Sequence, residues 1–210
     1  MKKFMLFAGI IFSLLLLTSC AGTKPVQNTE LWMNKMMDQA LERVMAVYSE
    51  EELTFFSVVG TVEYQNASER SVDNPLTPAD VPTWVFHYAY GDAEVGEPDV
   101  VEIDYENGTW REPFLNGQMA PTEKVLFNLP VHVSVDLDMA IDRAWNCDYQ
   151  DWLDELSFIE LSLPLGLREA KNITEPLYRF QRANSQSDFI FIGAFSGREH
   201  FITEDDLTVD

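Results

Sequence analysis

The run Phe189-Ile-Phe-Ile-Gly-Ala-Phe195 is apolar at odd and even positions alike. Successive side chains of an extended chain point to opposite faces of a sheet, so this segment needs cover on both. It is expected to be a central strand, or the strand at which two structural units meet.

The residues before it supply the rest of such a unit. Leu137, Ala140, Ile141, Ala144 and Trp145 recur at helical spacing, with Ser134 or Asp136 placed to cap the helix. Trp152, Leu153 and Leu156 continue the stripe after a break around Asn146. Two alternating strands follow. Phe158 to Leu163 sets Ile159, Leu161 and Leu163 against Glu160 and Ser162, and Leu177 to Arg182 sets Tyr178 and Phe180 against Arg179 and Gln181. Pro164 to Glu175 between them reads as a loop.

A looser copy of the same order occupies the first half. Met33, Met37, Ala40, Leu41, Val44 and Tyr48 mark an amphipathic helix from Leu31 to about Tyr48. In the strand Thr54 to Tyr64, Phe56, Val58, Val62 and Tyr64 share one face; Phe55, Ser57, Val59, Thr61 and Glu63 share the other. After a polar loop, Thr83 to Tyr90 aligns Trp84, Phe86, Tyr88 and Tyr90, and Val100 to Tyr105 opposes Val101, Ile103 and Tyr105 to Glu102 and Asp104. Glu106-Asn-Gly108 is a turn signal. The segment Trp110 to Pro130, with Pro113, Asn116-Gly117 and Pro121, carries the boundary near residue 120. The fold class expected is α+β: two tandem units, residues 31–120 and 121–210, each one helix packed on an antiparallel sheet of three to four strands.

The pattern Leu137-x-x-Ala140-Ile141-x-x-Ala144, the strand Pro176-Leu-Tyr-Arg-Phe180 and the ending Ala194-Phe-Ser-Gly197 resemble the PepSY and PepSY-like family of bacterial envelope domains. Trp84-Val-Phe-His-Tyr88 and Ile103-Asp-Tyr-Glu-Asn-Gly108 echo it in the first half. The family's usual acidic-Thr-Gly ending is here Phe195-Ser-Gly197, and the segments 110–130 and 164–175 are long. The resemblance implies a binding or inhibitory module, and it brings no catalytic residues with it.

The amino end sets the expected compartment. Met1-Lys-Lys, an apolar Phe4 to Leu17 and Leu17-Thr-Ser-Cys-Ala21 read as a signal peptide, residues 1–19, ending in a bacterial lipobox. Cys20 is then lipidated, and polar residues 20–30 serve as a flexible tether. Ala21-Gly22 lacks the aspartate that favours inner-membrane retention, so the chain is expected on the outer membrane facing the periplasm, with the cell surface as the alternative. With Cys20 committed to lipid, Cys147 has no cysteine partner, and the fold must rest on its core.

The formal net charge of −21 opposes nucleic acid and anionic lipid, leaving membrane contact to the lipid anchor alone. No cofactor is expected. His87, His132 and His200 have no metal-binding frame, and no Gly-x-Ser-x-Gly elbow, P-loop or Gly-x-Gly-x-x-Gly occurs. His87, among Val85 and Ala89, reads as a structural histidine. Trp84, Trp110 and Trp152 are the candidate partner-binding residues, since tryptophan dominates interface hot spots; a place in the core suits the alternating ones equally. The reading is a non-catalytic envelope protein that binds a protein or peptide. Its alternatives are a structural accessory of an outer-membrane complex and a hydrolase with dispersed carboxylates.

Overall fold

The computed structural model describes residues 31–62, 80–91, 98–118, 124–146, 156–182 and 189–200. Helix α1 (Trp32–Met45) buries Met33, Met36, Met37, Ala40 and Val44, the stripe its three- and four-residue spacing dictates. A short 3-10 turn, Glu50–Glu52, leads into strand β1 (Leu53–Thr61), which is followed by β2 (Thr83–Tyr90) and β3 (Asp99–Glu106). Asn107 and Gly108 take positive φ values of 48° and 85°, the tight hairpin geometry that Asn-Gly favours, and return the chain as β4 (Thr109–Trp110) and β5 (Phe114–Gln118). The second half supplies α2 (Leu137–Asn146), β6 (Leu156–Ser162), α3 (Leu165–Lys171), β7 (Leu177–Arg182), β8 (Phe189–Gly193) and β9 (Glu199–His200).

All nine strands join one antiparallel sheet in the order β4-β3-β2-β1-β6-β7-β8-β9, with β5 also paired to β3. This overturns the expected pair of tandem helix-on-sheet units. Val58 to Thr61 of β1 pair with Leu161 to Phe158 of β6, so the strands of both halves form one continuous sheet, and the described helices are only three. The expected boundary near residue 120 lies outside the described residues. The halves meet at β1 and β6, not at β8, which sits near the other end of the sheet.

The two apolar faces of β8 are nonetheless both covered. Ile190 and Ile192 enter the main core with α1, α2 and the inward side chains Trp84, Phe86, Tyr88, Ile103, Ile159 and Phe180. Phe191, on the other face, joins a smaller core with Val125, Leu163, Leu167, Ile173 and Leu177. Helix α3 supplies Leu167 there, where Pro164 to Glu175 had read as a loop. Asn172 ends α3 in the left-handed conformation common after a helix.

The segment Val131 to Asp136 ties both helices to the sheet. Asn34 donates through Nδ2 to the Val133 carbonyl (3.0 Å) and accepts from the Val133 N–H (2.7 Å). Ser134 and Val135 N–H groups donate to the Ala194 carbonyl (2.9 and 3.0 Å), and the buried Tyr178 hydroxyl donates to Val135 O (2.8 Å).

Candidate functional site

Alternation in β1 would place Phe56 with Val58, but a bulge between Phe55 and Ser57 shifts the register by one residue. Phe55 therefore joins Val58 in the main core, and Ser57 faces outward beside His87. Cross-strand pairing then builds two polar rows on the sheet face away from α1 and α2. One row is Phe114, Glu102, His87 and Ser57; the next is Asp104, Val85, Val59, Glu160, Arg179 and Phe191.

Ser57 Oγ lies 3.1 Å from His87 Nδ1, and His87 Nε2 lies 3.4 Å from a Glu102 carboxylate oxygen. Burial lowers the His87 pKa below 6.5; Glu102 opposes that shift and Lys124 adds to it. Glu160, only 3% exposed, is paired by Lys124 and lies 3.6 Å from an Arg179 guanidinium nitrogen. Lys124 Nζ stands over the Phe56 ring at 5.2 Å, and Arg179 lies over Phe189 at 4.9 Å.

Ser57, His87 and Glu102 have the composition of a nucleophile, base and acid. Ser57 is 1% exposed, however, and its neighbours in β1 are paired to β2. A nucleophile needs access and oxyanion donors at the reacting atom. The trio is a partly buried polar row, joined by the Ser57–His87 hydrogen bond and the His87–Glu102 contact.

A polar cavity of about 370 Å³ lies at the far end of the sheet, lined by Lys171, Thr174, Glu175, Ser196, Arg198 and His200 among others. Glu175 organises its wall by accepting from Phe195 N–H (2.7 Å), Ser196 N–H (2.8 Å) and Ser196 Oγ (2.6 Å). Burial raises the Glu175 pKa, but these hydrogen bonds outweigh it and leave a net lowering. Among the described residues no cluster of three His, Cys, Asp or Glu could hold a metal, and no helix is long and apolar enough to cross a membrane.

At the opposite end, β5 pairs with β3 on one side, and no described strand occupies its other side. Phe114 and Leu115 are 44% and 47% exposed. Phe114 shares the outer face with Glu102, its cross-strand partner, and Leu115 pairs with Val101. The sequence left Trp110 to Pro130 without elements; the adjacent Phe114-Leu115 beside Asn116-Gly117 was the available signal.

Trp84 does not form a surface patch: it is 1% exposed and packs against Trp32 at 5.2 Å. Trp110 is half-buried, donates from Nε1 to Gln39 Oε1 (3.2 Å) and sits between Tyr105, Phe86 and Arg43. Those contacts link α1 to the sheet at β4. Trp152, Cys20 and Cys147 lie outside the described residues.

No protein-family model matches this chain, no curated protein matches it, and no solved structure matches it.

Proposed function

We propose that the chain is a non-catalytic, lipid-anchored cell-envelope protein that binds another protein or peptide. The carrying observation is the β5 edge, where a strand with no described neighbour on its outer side presents Phe114 and Leu115 to solvent. Sheet edges template the addition of another chain, and proteins commonly blunt them with lysine, proline or cover. Here Phe114 and Leu115, just after Pro113, are exposed on that strand. The resemblance of residues 137–197 to PepSY-like domains supports the binding role, and the signal-like first nineteen residues before Cys20 support the anchor.

The test is affinity capture from detergent-solubilised envelopes, comparing the native chain with a Leu115→Ser variant of equal folded content. The expected result is one stoichiometric polypeptide retained by the native chain and lost with the variant. Its identity as a barrel-assembly component would point to the accessory role; hydrolytic turnover by the purified chain would overturn the non-catalytic reading. The anchor is tested by fatty-acid labelling, which Cys20→Ser must abolish.

A further inference from the structure

We infer that the polar cavity beside the end of α3 and strand β9 holds a neutral sugar ring, free or at the end of a glycan, with one of its hydroxyl groups seated between Glu175 and His200. This site is separate from the β5 edge and does not depend on it.

Two atoms in the cavity wall are short of partners among the described residues. Both Glu175 oxygens are acceptors, because the carboxylate is ionised. Oε2 takes the N–H groups of Phe195 and Ser196, whereas Oε1 takes only the Ser196 hydroxyl and keeps a lone pair open. His200 Nε2 is buried and makes no hydrogen bond. It lies 3.8 Å from that same Oε1, within ion-pair range but too far for a hydrogen bond. The negative oxygen favours the imidazole form with its proton on Nε2, so a donor and an acceptor border one gap. Buried polar atoms are nearly always paired, and this pair awaits a third atom.

The gap selects the chemistry of its occupant. A hydroxyl oxygen donates to Oε1 and accepts from Nε2–H at once. A carboxylate or phosphate would be repelled by Glu175, and an ammonium has no lone pair for His200. The remaining charges agree: Lys171 and Arg198 balance Glu175 and Glu199 around the cavity, within a chain of net charge −21, so neither sign of ligand is favoured. Asn172 and Thr174 add donors and acceptors for neighbouring hydroxyls. Phe195, next to Ser196 and 44% exposed, offers an aromatic ring to the C–H face of a sugar. At about 370 Å³ the cavity stands at the small end of ligand sites, which suits one or two rings and excludes a folded partner.

The experiment is saturation-transfer NMR on the full chain, in a detergent without sugar head groups. The probes are glucose, galactose, mannose and N-acetylglucosamine, each free and as the end unit of an oligosaccharide. Expected is saturable binding of at least one of them with a Kd of about 1 mM or tighter, undisturbed by acetate, inorganic phosphate or glycerol. His200→Phe, which keeps a ring but loses the N–H, weakens it about tenfold or more. Phe195→Ser, at an exposed position outside both cores, weakens it as well while the circular dichroism stays native. Tighter binding of the free sugar than of the oligosaccharide marks a free sugar as the ligand; equal or tighter binding of the oligosaccharide marks a glycan end. Saturation by none of the probes would leave water alone in the gap and overturn the inference. Displacement by acetate or phosphate would overturn it in favour of an anion site, and full affinity in the His200→Phe or Phe195→Ser chain would overturn the assigned contacts.

Discussion

Asp136 caps the helix that begins at Trp32, a residue 104 positions earlier in the chain. Its two carboxylate oxygens accept from the Trp32 N–H (2.5 Å) and the Met33 N–H (3.0 Å), and it also accepts from Leu137 N–H (3.0 Å) at the start of α2. One buried side chain thus serves two helix N-termini, while Leu31, the local N-cap, has no side-chain acceptor to offer.

Asp136→Ala is expected to lower stability by about 2–4 kcal/mol, since one cap contributes about 1 kcal/mol and charged acceptors contribute more. Asp136→Asn, keeping one carbonyl oxygen, should lose about half as much. Urea denaturation followed by circular dichroism measures both, and an unchanged midpoint for the alanine variant would remove the double-cap role.

Gly60→Ala is expected to destabilise by about 1–3 kcal/mol. A Cβ on Gly60 would stand 2.6 Å from the Trp84 ring, which is buried and has no room to retreat. The thermal midpoint should fall, and the tryptophan emission should shift as the indole moves.

Lowering the pH is expected to cost stability through His87. Its folded pKa lies below 6.5, so as the pH falls past about 6.5 the unfolded chain binds the proton first and stability declines until the folded pKa is reached. His87→Gln should flatten that slope relative to the native chain. Glu102→Gln removes a charge that favours the imidazolium, and an NMR titration should then show a still lower His87 pKa; a rise would refute the assignment.

Lys124→Met is expected to destabilise by about 1–3 kcal/mol, because it removes the nearer of the two cations that flank the buried Glu160 carboxylate among the described residues. Adding Glu160→Gln should restore part of the loss. A double-mutant cycle measures the coupling, and strict additivity would mean that the two groups do not interact.

Local pattern carried the elements further than it carried their assembly. Trp84, Phe86 and Tyr88 alternate without interruption, and all three are buried in the main core as read. The β1 bulge broke the same rule at Phe56, since nothing in Thr54-Phe-Phe-Ser-Val58 marks the inserted residue and its cost is met by distant pairing. The α3 helix was hidden by Pro164 and Gly166, although Pro suits a helix start and Leu167 was there to anchor it. Of the candidate site, tryptophan content pointed to Trp84 and Trp110, which the core and α1 had claimed. Phe114 and Leu115 went unmarked because exposure at an edge depends on which strand lies beside it.

The pairing of β1 with β6 also sets an order of events during synthesis. A chain made from its amino end completes β1, β2 and β3 while the partner of Val58, Leu161, has not yet been added. Until β6 arrives, β1 is a nascent edge lined by Phe55, Phe56 and Val58, open to wrong partners, and closing it requires a long-range encounter of the slow kind. The middle of the finished sheet therefore cannot close until the whole first half has been made, and that half on its own would be a sticky fragment in need of guarding.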